Sequence, residues 1–167
     1  MSLRAVSARS MTGISIGGSV NDFNERLGAL FERLGRRVKA VLATSACDEV
    51  SARMMSFVLL DGAFFFQTDR TFKKARQIAA NPHVAICVDN VQIEGVCREV
   101  GRPLEHEVFA SAFRELYPSS FDAYSARDDE RVFEVRPTFI QVWSYVDGKP
   151  RIERFFCDDR RCEELSY

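Results

Sequence analysis

Asp61-Gly62 lies between two strand-like runs, Ala52 to Leu60 and Ala63 to Thr68. A two-residue turn needs positive φ at both central positions, and Asp-Gly is one of the few pairs that accepts it, so the runs form an antiparallel hairpin. Counting outward from the turn, the start of the first strand near Arg53 and the end of the second near Thr68 fall at the same edge. Asp147-Gly148 repeats the signal between Phe139 to Tyr145 and Arg151 to Cys157. Chains punctuated this way build antiparallel sheet.

The remaining periodicity fills in around these hairpins. Phe23, Leu27, Leu30, Phe31 and Leu34 recur at helical spacing, with Asn21 or Asp22 as the expected N-cap and Gly35 placed to end the helix. Val38 to Thr44 reads as a strand, followed by a polar connection, Ser45 to Ser51. Thr71 to Ala80 is helical up to Asn81-Pro82, and strands follow at Val84 to Val88 and Val91 to Val100. Helical spacing returns from Val108 to Leu116, where Tyr117-Pro118 breaks it, and Arg136-Pro137 is expected to interrupt the ladder between Val132–Val135 and Phe139–Tyr145. Six or more hairpin-joined strands with helices in the connections predict an antiparallel α+β barrel in a single domain over 20–167. Residues 1–19, rich in Ser, Gly and Arg, read as a flexible leader, with Met11 as an alternative start.

Charge and cysteine content exclude several functions. A formal net charge of −1 in 167 residues gives no basic excess for holding nucleic acid by bulk electrostatics. Asp61-Gly62 cuts the most apolar stretch far short of the ~20 residues that cross a bilayer, so no membrane span is expected. Five cysteines in an odd set, with no Cys-x-x-Cys pair, suggest neither a disulfide framework nor a zinc site and fit a reducing cytoplasm. Cys87 and Cys97 read as small core residues, and Cys157 and Cys162 as exposed thiols.

The stretch Gln67-Thr-Asp-Arg-Thr-Phe-Lys-Lys-Ala75 carries the chemistry. A lysine pair at a helix start is ordinarily a solvated face. Here the hairpin brings Arg53, Thr68, Lys73 and Lys74 toward one edge, where helix amides would add their own attraction for an anion. The two candidate readings are a polar helix start and a seat for a phosphate.

The ordered set Ala43-Thr44, Arg53-Met54-Met55-Ser56, Asp61-Gly62, Gln67-Thr68, Lys73-Lys74-Ala75, Asn81-Pro82 and Gln92-Ile93-Glu94-Gly95 resembles the pyridoxamine 5'-phosphate oxidase-like, FMN-binding split-barrel family. The resemblance implies a six-stranded antiparallel split β-barrel with flanking helices. It implies that Arg53, Thr68, Lys73 and Lys74 hold the FMN phosphate, with Gln67 beside them. Met54, Met55 and Ser56 would then run along the isoalloxazine ring, and Gln92 would reach the flavin from the opposite subunit. Trp143 matches the tryptophan that precedes the family's Arg-x-His-Asp-Arg motif. Arg151-Ile152-Glu153-Arg154 lacks that histidine, which separates flavin binding from vitamin B6 oxidation.

The resemblance implies an FMN-dependent oxidoreductase acting on a small molecule, as a homodimer with its flavin sites at the interface. The Phe-rich run Ala63 to Phe66 offers an apolar surface for such pairing. A flavin- or haem-binding carrier or sensor without turnover, and a deazaflavin-dependent reductase, are the alternatives on the same scaffold. No residue reads as a catalytic nucleophile or acid–base dyad, because in flavin chemistry the cofactor carries the reaction.

Overall fold

The computed structural model describes residues 14–16 and 19–166. Its strands are β1 (Ile14–Ile16), β2 (Arg37–Ala46), β3 (Glu49–Leu60), β4 (Ala63–Asp69), β5 (His83–Val88), β6 (Val91–Gly101), β7 (Glu130–Val146), β8 (Lys149–Phe156) and β9 (Arg161–Ser166). Helices are α1 (Val20–Leu34), α2 (Lys73–Ala80), α3 (Glu107–Leu116) and α4 (Pro118–Tyr124). The strands lie in the order β1-β9-β8-β7-β4-β3-β2-β5-β6, and β6 pairs again with β7. Six of them, β7, β4, β3, β2, β5 and β6, therefore close an antiparallel barrel, and β8, β9 and β1 extend it as a flap.

Asp61, Gly62, Asp147 and Gly148 all have positive φ, as two-residue hairpins require. A further such turn replaces the expected polar connection: Cys47 and Asp48 are both at positive φ, so β2 runs on to Ala46 and β3 starts at Glu49. Helix α1 begins earlier than its apolar periodicity, with Ser19 as N-cap accepting from the Asp22 amide at 3.3 Å; neither Asn21 nor Asp22 caps it. Of the expected leader, Ile14–Ile16 pairs with β9, and residues 1–13, 17 and 18 lie outside the described residues. Tyr117-Pro118 ends α3 as expected, but Pro118 then opens α4, where its missing N–H is no loss.

Arg136-Pro137 does not break the ladder. β7 is one strand of 17 residues, because Pro137 pairs with Gly95 at a bulge where Thr138 has no counterpart on β6. A bulge is one of the few places in a sheet that tolerates a missing donor. Gly95 makes the close approach possible: a Cβ there would lie 2.5 Å from the Arg136 carbonyl oxygen and 3.0 Å from Val135 Cγ1.

The core divides along β4. Phe64 and Phe66 face the barrel interior with Phe57, Leu42 and Ile93, while Ala63 and Phe65 pack outward against Phe109 and Phe113 of α3. The four residues of the Phe-rich run are all buried within one chain, the most exposed at 9%. They offer no apolar surface for a second subunit, contrary to the reading from sequence. The cysteines are also reassigned. Cys97 is buried as expected, but Cys87 is exposed because it points out of β5, and Cys162 is buried because β9, which the sequence pattern did not reveal, places it under α1.

Gly95→Ala is expected to destabilise the protein by about 1–3 kcal/mol, since either the bulge or the β6–β7 spacing must give way. Urea denaturation should register this as a lower midpoint with an unchanged slope.

Candidate functional site

The barrel is split between β3 and β4. Only three residue pairs join these strands, from Val58↔Phe65 to Leu60↔Ala63, after which β4 continues along β7. Below that point β3 keeps β2 as its only described strand partner. The Leu59 amide donates to the Arg36 carbonyl, which sets the phase of the β2–β3 ladder. In an antiparallel pair, alternate residues address the partner strand. Phe57, Met55 and Arg53 therefore address β2, and Ser56, Met54 and Ala52 turn their N–H and C=O groups toward the side that β4 has left.

At the open end of this split the sequence places its cations. Alternation along β3 puts the Arg53 side chain on the interior face with Met55 and Phe57. Its Nη1 donates to Thr44 Oγ1 at 2.7 Å and to the Leu42 carbonyl at 3.2 Å. Helix α2 closes this barrel end by burying Ala75 and Ile78, which brings the half-buried Lys74 toward Arg53. The Lys74 ammonium has its pKa lowered, first by burial and then by the Arg53 charge, and burial lowers that of Arg53. No salt bridge neutralises either cation among the described residues. Lys74 rests over the Phe72 ring, 4.6 Å from its centroid, and the Glu130 and Asp69 carboxylates partly offset its charge without forming a salt bridge. The N-cap of α2, Phe72, offers no side-chain acceptor, so the first-turn amides keep their capacity for an anion. Two facing cations beside uncapped helix amides are a surplus of positive charge that a phosphate would neutralise.

The other expected site residues divide around this centre. Thr68 is buried on the interior face of β4, in line with Phe64 and Phe66. Lys73 is exposed and paired with Glu49 at 2.8 Å, so it stands apart from the Arg53–Lys74 pair. Gln67 points the other way, toward α4: its Oε1 accepts from Ser125 Oγ at 2.8 Å, and its buried Nε2 has no hydrogen-bond partner. Met54, 64% exposed, sits on the outer face of β3. Gln92 is also on the outer face, where its amide meets Glu94 at 2.8 Å. Register lines Met54, Val41, Cys87 and Gln92 in one cross-strand row. Three inter-strand spacings separate its ends, about 14 Å, so Gln92 does not reach the split of its own chain. Trp143, 39% exposed, lies on β7 beyond Gln92 and is not part of the split.

Two site residues were not legible in the sequence. Gln77, on α2, accepts from Thr44 through its Oε1 at 2.7 Å and donates from Nε2 to the Glu49 carbonyl at 3.0 Å. Its only sequence signal is a polar residue on the apolar side of α2. Glu130 opens β7, is 5% exposed, and lines a cleft of about 190 Å³ with Gln67, Thr68, Phe72, Tyr124 and Arg127. Burial pushes its carboxyl up to about 7 and Asp69 adds to the shift, while Arg127 and Lys74 oppose it.

Three of the thiols are poor nucleophiles. Burial pushes Cys97 up to about 12 and Cys157 up to about 11, and raises Cys162 as well. No group of three or more His, Cys, Asp or Glu residues among the described residues is arranged to hold a metal ion. No described helix is long and apolar enough to cross a membrane.

Residues 29–144, which include the whole split, match the family model described as pyridoxamine 5'-phosphate oxidase. The chain belongs to the pyridoxamine 5'-phosphate oxidase-like family. No curated protein matches the sequence. Solved structures of the same fold include a pyridoxamine 5'-phosphate oxidase-related, FMN-binding protein from Nostoc punctiforme, with 15% identity and a TM-score of 0.58 over 87% of this chain and 93% of that one. PhzG from Burkholderia lata, in complex with tetrahydrophenazine-1-carboxylic acid, gives 16% identity and a TM-score of 0.58 over 88% of this chain and 91% of that one. A heme binding protein from Mycobacterium smegmatis gives 17% identity and a TM-score of 0.57 over 81% and 58%. At these identities the likeness is one of fold.

In this chain the barrel carries an acidic group, Glu130, beside its cation pair. Glu130 has a raised pKa, so between its usual 4.5 and about 7 the native protein keeps a proton that the unfolded chain has lost. Stability therefore falls as pH rises through that window. Glu130→Gln should be more stable than the parent by roughly 1–3 kcal/mol at pH 8 and nearly equal to it at pH 5. Urea melts at the two pH values test this; an equal gain at both would remove ionisation as the cause.

Proposed function

We propose that the protein is an FMN-dependent oxidoreductase acting on a small organic molecule. The observation that carries this reading is the pair Arg53 and Lys74 at the open end of the split, neither in a salt bridge among the described residues, beside the uncapped start of α2. A phosphate monoester brings close to two negative charges at neutral pH and accepts charge-assisted hydrogen bonds, each worth about 1.5–3 kcal/mol. Thr68 belongs to the same seat from β4. A phosphate alone would not use the neighbouring edge of β3. There the backbone groups of Met54 and Ser56 suit the polar rim of a flat heterocycle, which makes a phosphorylated flavin the better match. Bound FMN would supply hydride and electron transfer, and the chain's own groups would orient it and set its electrostatic surroundings.

Family membership and the FMN-binding relative from Nostoc punctiforme support the same choice. The homodimer belongs to this proposal with a different surface from the Phe-rich strand. The outer face of β3, β2 and β5 carries Val50, 74% exposed, beside Met54, Val41, Ala43 and Ala85. A second copy seated there would bring its Gln92 toward the flavin, a position Gln92 does not reach within one chain. Trp143 is left as a contact from the same partner side.

The visible absorption spectrum of the purified protein, with identification of any chromophore released by heat, tests the cofactor. A two-banded flavin spectrum and released FMN are expected; a Soret band would point to haem, as in the relative from Mycobacterium smegmatis. Arg53→Ala and Lys74→Ala should each weaken FMN binding roughly 10- to 100-fold while leaving the fold intact. Unchanged affinity in both would sink the phosphate seat. Reduction of the bound flavin by NADH or NADPH and its reoxidation by acceptors at catalytic rates separate an enzyme from a carrier. Val50→Asp should shift sedimentation to monomer and lower flavin affinity together; a dimer that persists would exclude this face.

A further inference from the structure

Arg53 is held by a buried relay that runs through Thr44 to helix α2. Its Nη1 donates to Thr44 Oγ1 at 2.7 Å, Thr44 Oγ1 lies 2.7 Å from Gln77 Oε1, and Gln77 Nε2 lies 3.0 Å from the Glu49 carbonyl. Thr44 is 2% exposed and Gln77 5%, so water does not substitute freely for any of these contacts. The direction of every bond follows from its ends. Arginine only donates, so the Thr44 oxygen accepts and its single proton passes to Gln77 Oε1. That leaves the Gln77 amide nitrogen facing the Glu49 carbonyl, which only accepts. Leu42 O, 3.2 Å from the same Nη1, takes the second hydrogen of that nitrogen.

The consequence is geometric. Both Nη1 hydrogens are spent inside the barrel, which leaves the Nε–H and the two Nη2 hydrogens. The Nε–H and the Nη2 hydrogen beside it form the side edge of the guanidinium, which matches two oxygens of a phosphate or carboxylate at once. We propose that Gln77, acting through Thr44, is a positioning residue that orients Arg53 so that its Nε–Nη2 edge receives the flavin phosphate. This rests on the phosphate-seat reading above and adds to it two residues that need not touch the cofactor. Glu49 is the anchor at both ends, since its carbonyl holds Gln77 while its carboxylate holds Lys73. The start of α2 and the start of β3 are thereby tied to one residue.

The test compares FMN with riboflavin, which has the same ring system and no phosphate, by quenching of flavin fluorescence on the full-length protein. Gln77→Leu and Thr44→Val are each expected to weaken FMN binding about 10-fold and to leave riboflavin affinity unchanged within about twofold. Thr44→Ser keeps the hydroxyl and should retain FMN affinity, an outcome that a purely steric role for this position would not produce. In an Arg53→Ala background, Gln77→Leu should have no further effect on FMN, because the group it orients is gone. Equal losses for FMN and riboflavin, unchanged FMN affinity in both single variants, or a full effect of Gln77→Leu without Arg53 would each overturn the relay. Wild-type protein that binds FMN no more tightly than riboflavin would overturn the phosphate seat, and the relay with it. Wild-type preference for FMN with indifferent Gln77 and Thr44 variants would leave the seat standing and remove the relay alone.

Discussion

Closure of the barrel depends on β7, which pairs along its first half with both β4 and β6. Because β4 follows β7 after only three pairs with β3, the hairpin announced by Asp61-Gly62 opens like a fork. A strand edge inside a fold must have its backbone groups satisfied by something other than a neighbouring strand. The split therefore follows from how the barrel closes, and it creates the place where a cofactor edge can be received. The bulge at Thr138 and the close approach at Gly95 let β7 bend enough to serve both neighbours without breaking.

Charge at the split follows a consistent logic. Three basic residues converge there, and the structure gives them different surroundings. Lys73 is in solvent with Glu49, an exposed pair of the kind that contributes little to stability. Arg53 and Lys74 are partly desolvated and repel one another, and neither has a salt bridge among the described residues, although Glu130 and Asp69 partly offset Lys74. Holding two cations in this way costs stability, a cost that the proposed phosphate would offset. Glu130, buried nearby with its carboxyl pushed up to about 7, carries less negative charge near neutral pH than an ordinary glutamate and so offsets the positive field less.

The relay through Thr44 and Gln77 connects this field to geometry. An arginine on a strand end has several rotamers, and a surface guanidinium loses entropy when it is fixed. Spending one nitrogen on two buried acceptors settles the rotamer before any ligand binds, which is the sense in which a binding site is preorganised. Flavin and haem relatives share this barrel, so the fold does not by itself choose the ligand. The choice lies with side chains at the split.

Much of the barrel could be read from the chain. The Asp-Gly turns, the apolar runs on either side of Asp61-Gly62, and the helical spacing in α1 and α3 are local signals, set by positive φ and by buried faces. The convergence of Arg53 with the start of α2 was also legible, because one tight turn fixes which strand ends lie together. Other features depended on partners distant in sequence. Pro137 looked like a breaker until Gly95 and the bulge accommodated it, the Phe-rich strand looked like an interface until α3 covered its outer side, and β9 was visible only through its pairing with β8. Gln77 and Glu130 gave almost no signal, since a glutamine on a helix and a glutamate at a strand start are ordinary until burial makes their hydrogen bonds and charge costly. Sequence alone determined the turns, the periods and the edge at which the cations gather; only tertiary packing decided which cations are left without a salt bridge and how the arginine is held, because desolvation and hydrogen-bond direction are set by neighbours that the chain brings together from afar.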